Sequence, residues 1–180
     1  MIVHLSDGTA DAQVDDQKWH WWMTALDQAR RVPTRWPAPP ATATDDPRTA
    51  RLRLAADPGS AKAARDFAGT ELPGWCAGDL VEDIGVVISE LVTNALRHGL
   101  TGVRQVSALP LQLVLVGHGR RVLVVVTDPS GRTPVLAATG ELAEAGRGLQ
   151  IVAGLSSSWG CTPLVSGGKA VWAIFQRPTG

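Results

Sequence analysis

Between residues 89 and 99 the chain reads SELVTNALRHG, and Glu90, Asn94 and His98 recur four residues apart. On a helix that spacing stacks a carboxylate, an amide and an imidazole on one side, with Asp83 and Val86 extending the line backwards. A carboxylate so placed can take a proton from an attacking hydroxyl or water. An amide oxygen one turn away is a hard ligand suited to Mg2+. The pair fits phosphoryl transfer, in which a protein mainly positions groups and metal. Taken alone, the stripe reads more simply as a solvated polar face near a helix end.

Two later stretches bear on that choice. In VVVTDPSGRTP (124–134) an apolar strand ends abruptly in Asp128, followed by Pro129, Ser130 and Gly131. A carboxylate there can accept a hydrogen bond from an exocyclic amine such as that of adenine. The small residues after it let a base lie close to the backbone. An ordinary Asp-Pro turn has the same sequence. In EAGRGLQIVAGL (144–155), Gly146 and Gly148 open a helix after a loop. Free N–H groups at a helix start, with glycine permitting close approach, suit phosphate, and Arg147 adds a cation. The spacing is a near miss to the dinucleotide-binding fingerprint. That fingerprint must follow a strand and precede an acid by about 20 residues. Here a polar loop precedes it and GGKAV stands where the acid belongs, so that reading is rejected.

The elements that must hold these residues can be read from periodicity. RLRLAA (51–56) alternates as a strand. Asp57 and Pro58 then start a helix to about Leu72. PGWCAG breaks it, and a helix from Asp79 runs to Gly99, which supplies a left-handed terminator. Its apolar stripe is Ile84, Ile88, Leu91 and Ala95. LQLVLVGHGRRVLVVVTD is a hairpin about a Gly-His-Gly-Arg turn. RGLQIVAGLSSS is a helix, and WGCTPLVSGGKAVWAIFQ is a closing hairpin. The order β-α-α-β-β-loop-α-β-β argues for an α+β two-layer sandwich, mostly antiparallel, with helices on one face of the sheet.

Composition sets the outer bounds. The 180 residues make one domain of ordinary size with an extension. Seventeen basic residues balance seventeen acidic ones, so bulk charge favours neither nucleic acid nor a membrane surface. Cys76 and Cys161 have no metal-ligand spacing and read as idle thiols in a reducing compartment. The start lacks the basic and apolar regions of a signal peptide, and no apolar run is long enough to span a bilayer. A cytoplasmic location is expected. Residues 1–50 read as a poorly ordered extension, Pro-rich over 31–50, with a short helix at 17–30. Trp19, Trp22, Met23 and Leu26 form one stripe of that helix. It reads either as a docking helix or as a marginal helix with no specific role. Met23 is also a second candidate start of translation.

The three stretches, in order and with the closing GGKAVWA, resemble the GHKL-type ATP-binding domain. More narrowly, residues 51–177 resemble the stand-alone ATPase domains of the anti-sigma-factor serine/threonine kinase family. The resemblance implies roles residue by residue. Glu90 matches the general base and Asn94 the Mg2+ ligand. Asp128 matches the aspartate that reads the adenine amine, with Ser130 and Gly131 beside the base. Gly146, Arg147, Gly148 and Leu149 match the phosphate-holding end of the ATP lid. His98 matches a frequent histidine of the first motif, and Lys169 lies in the closing hairpin within reach of nucleotide. The second motif departs from the kinase pattern D-x-G-x-G at Ser130 and Arg132, and Ala170 stands where a small hydroxyl residue is common.

The resemblance further implies ATP and Mg2+ as cofactors. It implies a sigma factor and a STAS-domain anti-anti-sigma protein as partners, and it fits a homodimer. The expected function is an ATP-binding anti-sigma factor that phosphorylates its STAS partner. The alternative is a partner-switch binding module with little or no kinase activity.

Overall fold

A computed structural model describes residues 48–76, 78–99, 111–118, 120–132, 144–164 and 167–176. The extension expected over residues 1–50 and its helix at 17–30 lie outside these residues, apart from 48–50. Five strands form one antiparallel sheet: β1 (Arg48–Arg53), β2 (Gln112–His118), β3 (Arg121–Asp128), β4 (Ser158–Pro163) and β5 (Lys169–Gln176). Among the described residues three α-helices accompany it: α1 (Ser60–Glu71), α2 (Gly78–Asn94) and α3 (Glu144–Leu155). The sheet order is β1-β2-β3-β5-β4. This is the α+β architecture expected, with helices on one face of the sheet.

The core lies between the sheet and the helices. Its centre is Ile84, Val87, Ile88, Leu91 and Val92 from α2, packed with Leu113 and Leu115 of β2 and Val122, Val124 and Val126 of β3. Ala64 and Ala68 let α1 join it at close range. The apolar stripe read on α2 is therefore the stripe that meets the sheet. Burying side chains of this size contributes about 1.5–3 kcal/mol each before the entropy cost of ordering them.

Local boundaries differ from the sequence reading in three places. β1 begins at Arg48, ahead of the strand read from 51, because Arg48, Thr49 and Ala50 already pair with Gly117, Val116 and Leu115. Asp57 does not cap the helix directly. Its Oδ1 accepts from the Gly59 N–H at 2.8 Å, and the helix starts at Ser60. The long helix ends its α-turns at Asn94 and finishes in a single π turn over Ala95–Gly99, where Gly99 had been expected to terminate an unbroken α-helix. Such widened turns concentrate at functional sites. The closing hairpin turns through Gly167 (φ 86°) and Gly168 (φ 78°), conformations that only glycine adopts without strain.

Candidate functional site

Glu90 and Asn94 stand on the last two turns of α2, beside the stripe that is buried. Both are half-buried, whereas Val86, one turn earlier on the same line, is exposed. The line thus runs along the margin where α2 leaves the core. α3 packs against α2 at this margin, and the contact is made through Gly148. A Cβ built on Gly148 would lie 2.5 Å from Oε2 of Glu90 and 3.5 Å from Nδ2 of Asn94. Any larger residue would have to displace the carboxylate, so the close approach depends on glycine.

Gly148 lies within α3 and not at its opening, where the sequence reading put it. α3 begins at Glu144, so Gly148 sits in its second turn and its N–H is committed to the helix. The N–H groups with no partner inside the helix are, by helix geometry, those of its first turn, Glu144, Ala145 and Gly146. The value of Gly148 is proximity. It brings the third motif into contact with the first, putting the start of α3 beside a carboxylate and an amide. Arg147, next to it, is exposed, and Leu149 is buried.

A second group forms at the end of the sheet. Asp128 closes β3 and Lys169 opens β5, and the two are register partners. Lys169 Nζ donates to Asp128 Oδ1 at 2.7 Å, with 8% and 1% of the two side chains exposed. The Ser130 N–H donates to the same oxygen at 2.9 Å, and Lys169 Nζ also reaches the Ser130 carbonyl at 3.3 Å. The Arg132 N–H donates to Ser130 Oγ at 3.1 Å. Ser130 therefore ties down the turn that follows Asp128, where the kinase pattern has glycine. Cys161 on the adjacent strand β4 lies near the pair. Burial pushes its thiol up to about 11, with Lys169 drawing it down and Asp128 raising it.

Every site residue predicted from the sequence can now be located. Glu90, Asn94 and Gly148 are in contact. Asp128, Ser130 and Lys169 form the second group, on the face of the sheet that meets the helices. Gly131 is exposed beyond Ser130, and His98 is exposed on the π turn, four residues past Asn94. Gly146 lies in the first turn of α3. Sequence reasoning missed the Lys169–Asp128 ion pair. Its signal is the β3–β5 register, which joins residues 41 apart in the chain.

Among the described residues no three His, Cys, Asp or Glu side chains converge as ligands. Asn94 with Glu90 one turn away offers one or two hard oxygens. Mg2+ commonly takes one or two protein oxygens and completes its shell with phosphate and water, so these residues fit such an ion only together with a bound phosphate chain.

The family model of the histidine kinase-like ATPase domain matches residues 54–175. No curated protein matches the chain. One similar solved structure is of the RsbU and RsbW domains of Rv1364c from Mycobacterium tuberculosis. It is 20% identical, with a TM-score of 0.49, and the match covers 73% of this chain. The chain spans about a third, 34%, of that structure's length. With the family match extending over the helices and strands that carry both groups, the chain belongs to the histidine kinase-like ATPase domain family.

Proposed function

We propose that this protein binds Mg·ATP and acts as an anti-sigma factor of the serine/threonine kinase type, phosphorylating a STAS-domain partner. The observation that carries the proposal is the contact of Gly148 with Glu90 and Asn94. It brings a candidate base, a candidate metal ligand and the start of α3 to one place. Glu90 would take the proton of the substrate hydroxyl as that oxygen attacks the γ-phosphorus, while the bond from that phosphorus to the β,γ-bridging oxygen breaks and ADP leaves. Asn94 would hold Mg2+ through its amide oxygen, and the N–H groups at the start of α3, with Arg147, would hold phosphate oxygens. The metal supplies charge neutralisation on the phosphates. Asp128 would accept from the exocyclic amine of adenine, and Lys169 keeps its carboxylate oriented.

The test is nucleotide binding with and without Mg2+, in wild type and Asn94→Ala, followed by transfer from labelled ATP to a STAS-domain protein. The Mg2+-dependent part of binding is expected to vanish in Asn94→Ala. Phosphoserine is expected to form with Glu90 and not with Glu90→Ala. Absence of all nucleotide binding in the wild type would remove the proposal.

One observation favours the second reading, a binding module with little transfer activity. Lys169 Nζ already occupies Asp128 Oδ1, so an adenine amine meets a carboxylate with one oxygen engaged. Binding of ATP without Glu90-dependent transfer would select this reading.

A further inference from the structure

The sheet has two faces, and the register separates them. Toward the helices point Leu113 and Leu115, Val122, Val124 and Val126, and Val171, Ala173 and Phe175, all within the core. Side chains alternate along a strand, so their neighbours point to the opposite face. On that face stand Val114, Val116, Leu123, Val125, Trp172 and Ile174, none of which belongs to the core cluster. The face is apolar and continuous across β2, β3 and β5. Trp172 covers Gly160 of β4, where a Cβ would lie 2.5 Å from the indole, and its Nε1 donates to Thr162 Oγ1 at 3.3 Å.

These six side chains are not solvent-facing. Val114, Val116, Leu123 and Val125 are 0% exposed, Trp172 is 4% and Ile174 is 8%. Yet α1, α2 and α3 all pack on the other side, and no described element lies over this one. Strands buried on one face alone alternate apolar with polar; QLVLVGH and RVLVVVTD instead read as continuous apolar runs, the pattern of strands covered on both faces. Polar atoms at the margin are shut in as well. Arg51 Nη2 and His118 Nε2 are buried without a hydrogen-bond partner. By strand parity both residues belong to this second face.

We propose that the occupant is the chain's own segment 15–30, laid across the second face as a third layer through Trp19, Trp22, Met23 and Leu26. This segment enters β1 at the sheet edge by way of residues 31–47. A Pro-rich connection of that length reaches about 50 Å, against about 20 Å for the width of five strands. Four of its large apolar residues, Trp19, Trp22, Met23 and Leu26, fall on one helical stripe, matching a flat apolar surface that needs a cover. Indole rings also suit Arg51, since an aromatic face accommodates a guanidinium without an acceptor atom. By contrast, segments 101–110 and 133–143 each join a strand end to the helix layer.

The test uses the full chain. A photoreactive benzoylphenylalanine in place of Trp22 is expected to cross-link within one chain to peptides of β2, β3 or β5. Cross-links confined to the helices, links only between two chains, or no cross-link would overturn the proposal. A second measurement covers the case in which that side chain prevents folding. Trp22→Ala and Val125→Ala are each expected to lower Tm, and the double variant to lower it by less than the sum. Strictly additive losses would overturn the proposal.

Discussion

Gly148 and Glu90 touch: a methyl group on the glycine would fall 2.5 Å from Oε2 of the carboxylate. The obstacle to a larger residue is thus the far end of a flexible side chain. Gly148→Ala is expected to leave the fold intact, because Glu90 can rotate and because alanine is better than glycine inside a helix by about 1 kcal/mol. Tm is expected to stay or rise while Glu90-dependent transfer falls at least tenfold. In a Glu90→Ala background the same change is expected to have no further effect on transfer. A thermal melt run beside the transfer assay checks both halves. A substitution that stabilises the helix and disables the site would show that the glycine is kept for proximity.

The Lys169–Asp128 pair predicts a different balance. Both groups are buried, so removing one leaves the other without a partner charge in a poorly solvated place. Lys169→Met is expected to destabilise the fold by about 3–5 kcal/mol. Lys169→Met with Asp128→Asn is expected to recover part of that loss, because no unpaired charge remains. Denaturant unfolding of the two variants gives the comparison. Equal stability of wild type and Lys169→Met would show that the ion pair contributes nothing.

Cys161 supplies a pH-dependent signal from the same group. Burial, its largest influence, moves the thiol from an ordinary value of 9.0 to about 11. At pH 8 its thiolate is then about 100-fold scarcer than that of an ordinary thiol, and alkylation is expected to slow by about that factor. The folded state holds this proton to higher pH than the unfolded chain does. The stability it contributes is therefore fully present below about pH 9 and lost as pH rises toward 11. Iodoacetamide labelling of a Cys76→Ser variant between pH 8 and pH 11 measures the rate. Lys169→Met is expected to raise the pH of half-maximal labelling, since the lysine draws the thiol down.

Much of the fold was legible because it depends on local period. The alternation of RLRLAA, the β-branched apolar runs of the later strands, the 3.6-residue stripe of Ile84, Ile88 and Leu91, and the order of elements all survive in the structure. Boundaries were less legible where one local hydrogen bond displaces another. Asp57 spends its carboxylate on Gly59 N–H and leaves the helix to start at Ser60. The π turn after Asn94 has no mark in the residue types of ALRHG.

The sequence by itself determined that Glu90 and Asn94 share one helical line, that Asp128 ends a strand, and that small residues open α3. Each of those statements concerns residues within a few positions of one another, where helix and strand geometry dictates direction. Only the tertiary structure decided what each group faces. Gly148 meets Glu90 because α3 packs on α2, and Lys169 meets Asp128 because β5 inserts beside β3 rather than at the sheet edge. Such pairings follow from how apolar faces are buried together across the whole chain, which no local spacing encodes.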